Sequence, residues 1–80
     1  MNEELFGLID KAIHIYESDL SWEEKYDLIF SAQISRKIFK LIRLDYYDPD
    51  TTYEADCEAF ISALREAKEK YSRIEQGLKF

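Results

Sequence analysis

Leu5, Leu8, Ile9, Ala12, Ile13 and Tyr16 recur at steps of three and four, so the stretch from about Glu3 to Glu17 predicts a helix with one apolar face. Asn2 stands where it can cap that helix, and Glu3 and Glu4 fall in the first turn, where the helix dipole favours acid. Gly7 interrupts the pattern at a typical cost of up to about 1 kcal/mol. It is either a plain weakness or a place where another helix comes close, and close packing is the preferred expectation.

Ser21 followed by Glu24 is a capping box, with Leu20 ahead of it as a hydrophobic staple partner for the aliphatic stem of Lys25 or for Tyr26. The inward positions of the helix that starts here are Trp22, Tyr26, Ile29 and Phe30. The apolar spacing resumes at Ile34, Ile38, Leu41 and Ile42, with Phe39 beside them. Ser31 and Ser35 are both candidate caps, which divides residues 22–44 into two short helices with a break near 31–35.

The segment 45–50 holds the only proline, Pro49, which disfavours helix at Asp48 and marks a turn. Thr51 and Glu54 then form a second capping box, and a last helix is predicted from about Thr52 to near Gln76, with Gly77 as its stop. Along it Tyr53, Cys57, Phe60, Leu64, Ala67, Tyr71, Ile74 and Leu78 alternate steps of four and three, with Ile61 widening the stripe. About 25 residues at roughly 1.5 Å each give a rod of roughly 37 Å. The expected fold is all-α, a compact single-domain bundle of three to four helices with a long C-terminal helix. The long seam, ending in Tyr71, Ile74 and Leu78, adds the expectation of a homodimer held partly by that helix.

Composition narrows the picture further. Eighty residues suit one domain, and two Gly and one Pro are too few breakers for a many-turned sandwich or barrel. Twelve aromatics, six Tyr, five Phe and one Trp, supply much of a thin core. No run approaches the 18 or so apolar residues of a membrane span. The start, with Glu3 and Glu4, lacks the basic and then apolar order of a secretory signal, and the single Cys57 cannot form an intramolecular disulfide. A cytoplasmic location is therefore expected, with no membrane partner.

The formal net charge of −6 argues against direct binding to nucleic acid, and it conceals an uneven map. Residues 1–27 sum to −6, 28–44 to +4, 45–58 to −6 and 59–80 to +2. In the third block Asp45, Asp48, Asp50, Glu54, Asp56 and Glu58 stand without any Lys or Arg, interleaved with Tyr46, Tyr47 and Tyr53. Carboxylates that lack counter-charges steer basic partners, and tyrosine offers large contact area with few rotors. The expected partner-binding residues are Asp45, Tyr46, Tyr47, Asp48, Asp50, Tyr53, Glu54 and Glu58, and the expected partner is a basic protein. A second reading stays open: acids at a helix start stabilise it, and tyrosines there can roof the core.

The remaining chemistry is sparse. Asp48, Asp50, Thr52, Glu54 and Asp56 imitate the start of a calcium loop, but Tyr53 stands where its glycine belongs and Ala59 where its bidentate Glu belongs. No metal or cofactor is expected. Arg36, Lys40 and Arg43 share a helical stripe with Lys37 nearby, opposite Ile34, Ile38, Leu41 and Ile42. That stripe is expected to be a solvated face pairing with an acidic block, such as that of a neighbouring subunit. His14 falls off the apolar stripe near Asp10 and Glu17, Cys57 reads as a small core residue, and no Gly-rich loop exists to build an anion hole or cradle a phosphate. An enzyme is not expected.

In length, acidity, lone cysteine and the acidic, tyrosine-rich 45–58 segment, the chain resembles the small inhibitors that phages encode against bacterial defence systems, including anti-CRISPR proteins and DNA mimics. In size, charge and helicity it also resembles the acidic immunity proteins that block bacteriocin nucleases. These groups share no motif, so no site residue carries over. The resemblance implies a protein-binding inhibitor that occupies a basic, nucleic-acid-handling surface, such as a nucleic-acid-binding defence complex in a host cytoplasm. The alternative is a helical self-association or regulatory module whose acidity only gives solubility.

Overall fold

Helix α1 runs Asn2–Tyr16 and is followed by a tight turn in which the Ser18 hydroxyl donates to the Ile15 carbonyl at 2.6 Å. The computed structural model describes residues 2–31, 33–44 and 52–77, and side chains from Glu3 to Arg73 within them. Helix α2 (Trp22–Tyr26) opens on the expected cap: the Glu24 backbone N–H donates to Ser21 Oγ at 3.2 Å, and that hydroxyl donates onward to the Glu24 carboxylate at 3.0 Å. It widens into one π-helical turn, Asp27–Ser31, before α3 (Ile34–Leu41) and the long α4 (Tyr53–Gly77). The protein is all-α, with four helices, no strand among the described residues and the longest helix last.

The break in the middle falls where the serines suggested, yet neither serine makes it. Gln33 precedes α3 in the left-handed region, φ 71°, and offers no side-chain cap; Ser31 Oγ donates instead to Asp27 Oδ1 at 3.4 Å, and Ser35 is buried. At the start of α4 Thr52 caps the helix, its Oγ1 accepting from the Ala55 N–H at 3.0 Å, while the expected cap Thr51 lies outside the described residues. The expected cap at Asn2 is displaced, because Asn2 is itself the first helical residue.

Leu5, Ile9 and Ala12 of α1, Ile29, Ile34 and Ile38 of the middle segment, and Cys57, Phe60, Ile61 and Leu64 of α4 form one buried cluster. Helix α4 packs on α1 and on α2, while α1 also meets α3. Two ion pairs, Arg65–Glu17 and Lys68–Asp10, cross from α4 to α1 at 3.4 and 2.6 Å and set the two helices antiparallel. The α4 seam from Cys57 to Ala67 is buried against the chain's own helices, which removes the described part of the seam as a motive for dimerisation; Leu78 lies outside the described residues, as does the side chain of Ile74.

Two sequence expectations need correction here. Gly7 is exposed, and a methyl group built on it would meet nothing within 4 Å, so no helix approaches it closely and it is the plain weakness. Leu41 was placed on the inward face of α3 but is exposed, because at about 3.6 residues per turn Ile34, Ser35 and Ile38 define the inward arc and Leu41 falls on its flank.

Candidate functional site

Of the expected partner-binding residues, Asp45, Tyr46, Tyr47, Asp48 and Asp50 lie outside the described residues. Tyr53, Glu54 and Glu58 are described, and all three are exposed, Tyr53 by 46%. Asp56, one turn along α4, is instead buried. The reason is position on the helix: Glu54 and Glu58 are four apart on an outward arc, and Asp56 lies across it beside Cys57.

Packing brings a second acidic stretch to the same end of the bundle. Helix α2 lies along the start of α4, with the Tyr26 and Tyr53 rings 5.0 Å apart. The exposed acids Glu23 and Glu24, with Asp27 just beyond, thus stand on an element packed against the start of α4, which carries the exposed Glu54 and Glu58.

The cation of α2 is turned inward. Lys25 is buried, with Nζ 4.2 Å from the centre of the Trp22 ring and 5.7 Å from that of Tyr16, whose own rings are 5.6 Å apart. A cation over an aromatic face is stabilised by the ring quadrupole, so Lys25 supplies structure rather than an outward charge. Sequence reading placed only its stem in a staple. A sharper signal was present, since Lys25 lies three residues after Trp22 and so shares its inward arc.

Tyr16 closes this corner from α1. Burial, then the carboxylate of Glu58, push its phenol above the ordinary range, partly offset by Arg65, whose guanidinium stands 5.9 Å over the ring. Cys57 lies beneath, fully buried, and burial followed by Asp56 pushes its thiol up to about 11 against a pull the other way from Lys25. Such a thiol is protonated and inert at neutral pH. His14 is exposed, and no group of three or more metal-ligating residues occurs among the described residues.

From the acid end a ladder of rings crosses the molecule. Tyr53 contacts Tyr26 at 5.0 Å, Tyr26 contacts Phe30 at 4.7 Å, Phe30 contacts Phe60 at 5.0 Å and Phe60 contacts Phe39 at 5.9 Å. Both end rings are exposed, Phe39 by 44%. At its far end lies α3, where Arg36, Lys37, Lys40 and the following Arg43 are all exposed. None of the ion pairs between described residues draws on these four cations, and Phe39 and Leu41 flank them on two sides. Where the chain leaves α3, Arg43 and Leu44 form a shallow groove of about 230 Å³ with Ala63, Glu66, Ala67, Lys70 and Tyr71 of α4. No helix among the described residues is long and apolar enough to cross a membrane.

Comparison with known proteins adds no relative: no protein family, curated protein or solved structure matches this chain.

Proposed function

We propose that the protein is a binding inhibitor whose acid end, built from the starts of α2 and α4, occupies a basic, nucleic-acid-handling surface of a partner protein. The observation that carries this reading is the packing of α2, with Glu23 and Glu24 exposed on it and Asp27 just beyond, against the start of α4, with Glu54, Glu58 and Tyr53 exposed there, while Lys25 is withdrawn onto Trp22. Carboxylates held on helices can stand where phosphates would sit, and hydrogen bonds from Arg or Lys to them are about twice as strong as neutral ones. Tyr53 adds a central apolar contact of the type that slows dissociation, while the surrounding acids chiefly raise the association rate. Tyr46, Tyr47, Asp45, Asp48 and Asp50 extend the same chemistry along the sequence just before Tyr53. The resemblance to phage anti-defence inhibitors supports a defence complex as the partner class. Inhibition by occupation needs no catalytic group.

Capture from a host lysate followed by mass spectrometry identifies the partner, and a variant pair then tests the surface. Glu54→Lys with Glu58→Lys is expected to keep the helical circular dichroism spectrum and lose inhibition. Undiminished inhibition by that variant would place the binding surface elsewhere and leave the acid end as a stabilised helix start.

A further inference from the structure

We infer that the basic face of α3 docks on the acid end of a second copy of this chain, so that the protein self-associates head to tail. The cationic face is unusually undivided: residues 28–44 contain four cations and no acid, and Arg36, Lys37, Lys40 and Arg43 are exposed without an ion pair to a described residue. By contrast Arg65, Lys68 and Arg73 of α4 each hold a carboxylate. Phe39 and Leu41, exposed by 44% and 37%, give this face apolar shoulders as well as charge.

The surface that complements it is on the same molecule but out of its own reach. The acid end lies at the start of α4, whereas Arg43 and Leu44 reach the groove at Ala63 and Ala67, about ten residues or roughly 15 Å further along that helix. Four ring-to-ring steps separate exposed Tyr53 from exposed Phe39. Within one copy only Arg43 shares a groove with an acid, Glu66, and makes no ion pair with it, whereas two copies can set the carboxylates at the start of α4 against the cations between Phe39 and Leu41.

The total charge of −6 does not forbid this. At physiological ionic strength the Debye length is about 8 Å, so an approaching copy responds to the facing patch more than to the sum. Because the contact joins unlike faces, an open assembly keeps one acid end and one α3 face free at its termini, which allows growth beyond a dimer or closure into a ring. A basic partner and the α3 face of another copy would compete for one acid end. The inference shares that surface with the proposed inhibition but needs no partner to test it.

Sedimentation equilibrium on the full chain at 0.1 M and 1 M salt, from low to high micromolar concentration, is the experiment. The expected result is a weight-average mass that rises with concentration above the 9.6 kDa of one chain at the lower salt and returns to it at the higher. Arg36→Glu with Lys40→Glu, and separately Glu54→Lys with Glu58→Lys, should each remain monomeric at 0.1 M salt with unchanged helix content. Mixed in equal amounts, the two variants should re-associate, because each restores the complement the other lost. A monomeric wild type throughout overturns the inference, as does a mixture that stays monomeric. A wild type that binds a fluorescent duplex oligonucleotide through Arg36 and Lys40 while remaining monomeric also overturns it, in favour of a nucleic-acid face. Loss of inhibition by the Glu54→Lys and Glu58→Lys variant bears only on the proposed function, since the mass measurement contains no partner.

Discussion

Between α1 and α4 the buried side chains Leu5, Ile9, Ala12, Ile61, Leu64 and Ala67 are mostly aliphatic and regularly spaced, and the rim is tied by Arg65–Glu17 and Lys68–Asp10. Residues 22–41 are held differently: a π turn, a left-handed Gln33, a cation over Trp22 and a chain of rings from Tyr26 to Phe39. The contrast has a physical reason. Aliphatic packing is favourable only where two surfaces keep register, whereas large rings and a long Lys stem reach across irregular spacing. An interrupted helix is thus docked by rings and a Lys stem beside the buried Ile29, Ile34 and Ile38, and the cations of α3 are left exposed.

Phe60 is where the two modes meet, since it belongs to α4 yet packs with tilted rings against both Phe30 and Phe39. Phe60→Ala is expected to cost about 3–5 kcal/mol, set against a total stability of about 4–12 kcal/mol for a domain of this length. Urea unfolding should show a collapse of the midpoint, with near-ultraviolet circular dichroism lost first if any structure remains. A loss below about 1 kcal/mol would mean the ladder is surface decoration and the contrast between the regions is false.

Lys25 sharpens the contrast at a smaller scale. Replacing it with Met keeps an unbranched stem and removes the charge, so the difference between Lys25→Met and Lys25→Ala separates packing from cation–π attraction. Lys25→Met is expected to cost about 1 kcal/mol and Lys25→Ala about 2, with the attraction itself worth about 0.5–2 kcal/mol. Equal stability of Lys25→Met and wild type in thermal melts would assign the position to packing alone.

Two backbone substitutions should act in the stabilising direction, one in each region. Gln33→Gly relieves a left-handed conformation that costs a side-chain-bearing residue about 1–2 kcal/mol, offset in part by glycine's extra freedom when unfolded, for a net gain of about 0.5–1 kcal/mol. Gly7→Ala fills open space on an exposed helical face and should gain up to about 1 kcal/mol. A destabilised Gly7→Ala would restore the close approach expected from the sequence.

The legibility of the sequence follows the same division. The stripes of α1 and α4 and the Ser21 cap could be read directly because burial in them repeats with the helical period. The break near 31–35 was also readable, but its agent was not: nothing in a Gln side chain announces a positive φ, and the two serines looked like better caps. For the candidate site, exposure of Glu54 and Glu58 followed from the pattern, whereas Tyr53 heads the apolar seam and is nevertheless exposed, and the packing of α2 beside them could not be read, since it depends on how α2 docks across α4. The burial of the Lys25 ammonium was not readable for a different reason. A lysine on an apolar arc reads as a flaw until Trp22 and Tyr16 are seen to receive it.

The last contrast is silent at neutral pH and emerges only in alkali. The α1–α4 rim is made of exposed ion pairs worth about 0–1 kcal/mol each. Where α2 meets α4, however, burial and then Asp56 push the Cys57 thiol from 9.0 to about 11, against the pull of Lys25. Below pH 9 the thiol is protonated in both folded and unfolded chains, and its contribution to stability is fully present. Between 9 and about 11 the unfolded chain releases the proton and the folded chain holds it, so the unfolded state binds fewer protons and stability falls as pH rises. Tyr16, also raised, acts in the same direction from about pH 10 upward. Melting temperatures from pH 7 to 11 should therefore fall more steeply above pH 9 for the wild type than for Cys57→Ala, even though the variant starts lower because of the small cavity it leaves. Parallel curves would mean that Cys57 ionises as readily in the folded chain as in the unfolded one, and that the corner beneath Tyr16 and Lys25 is open to water.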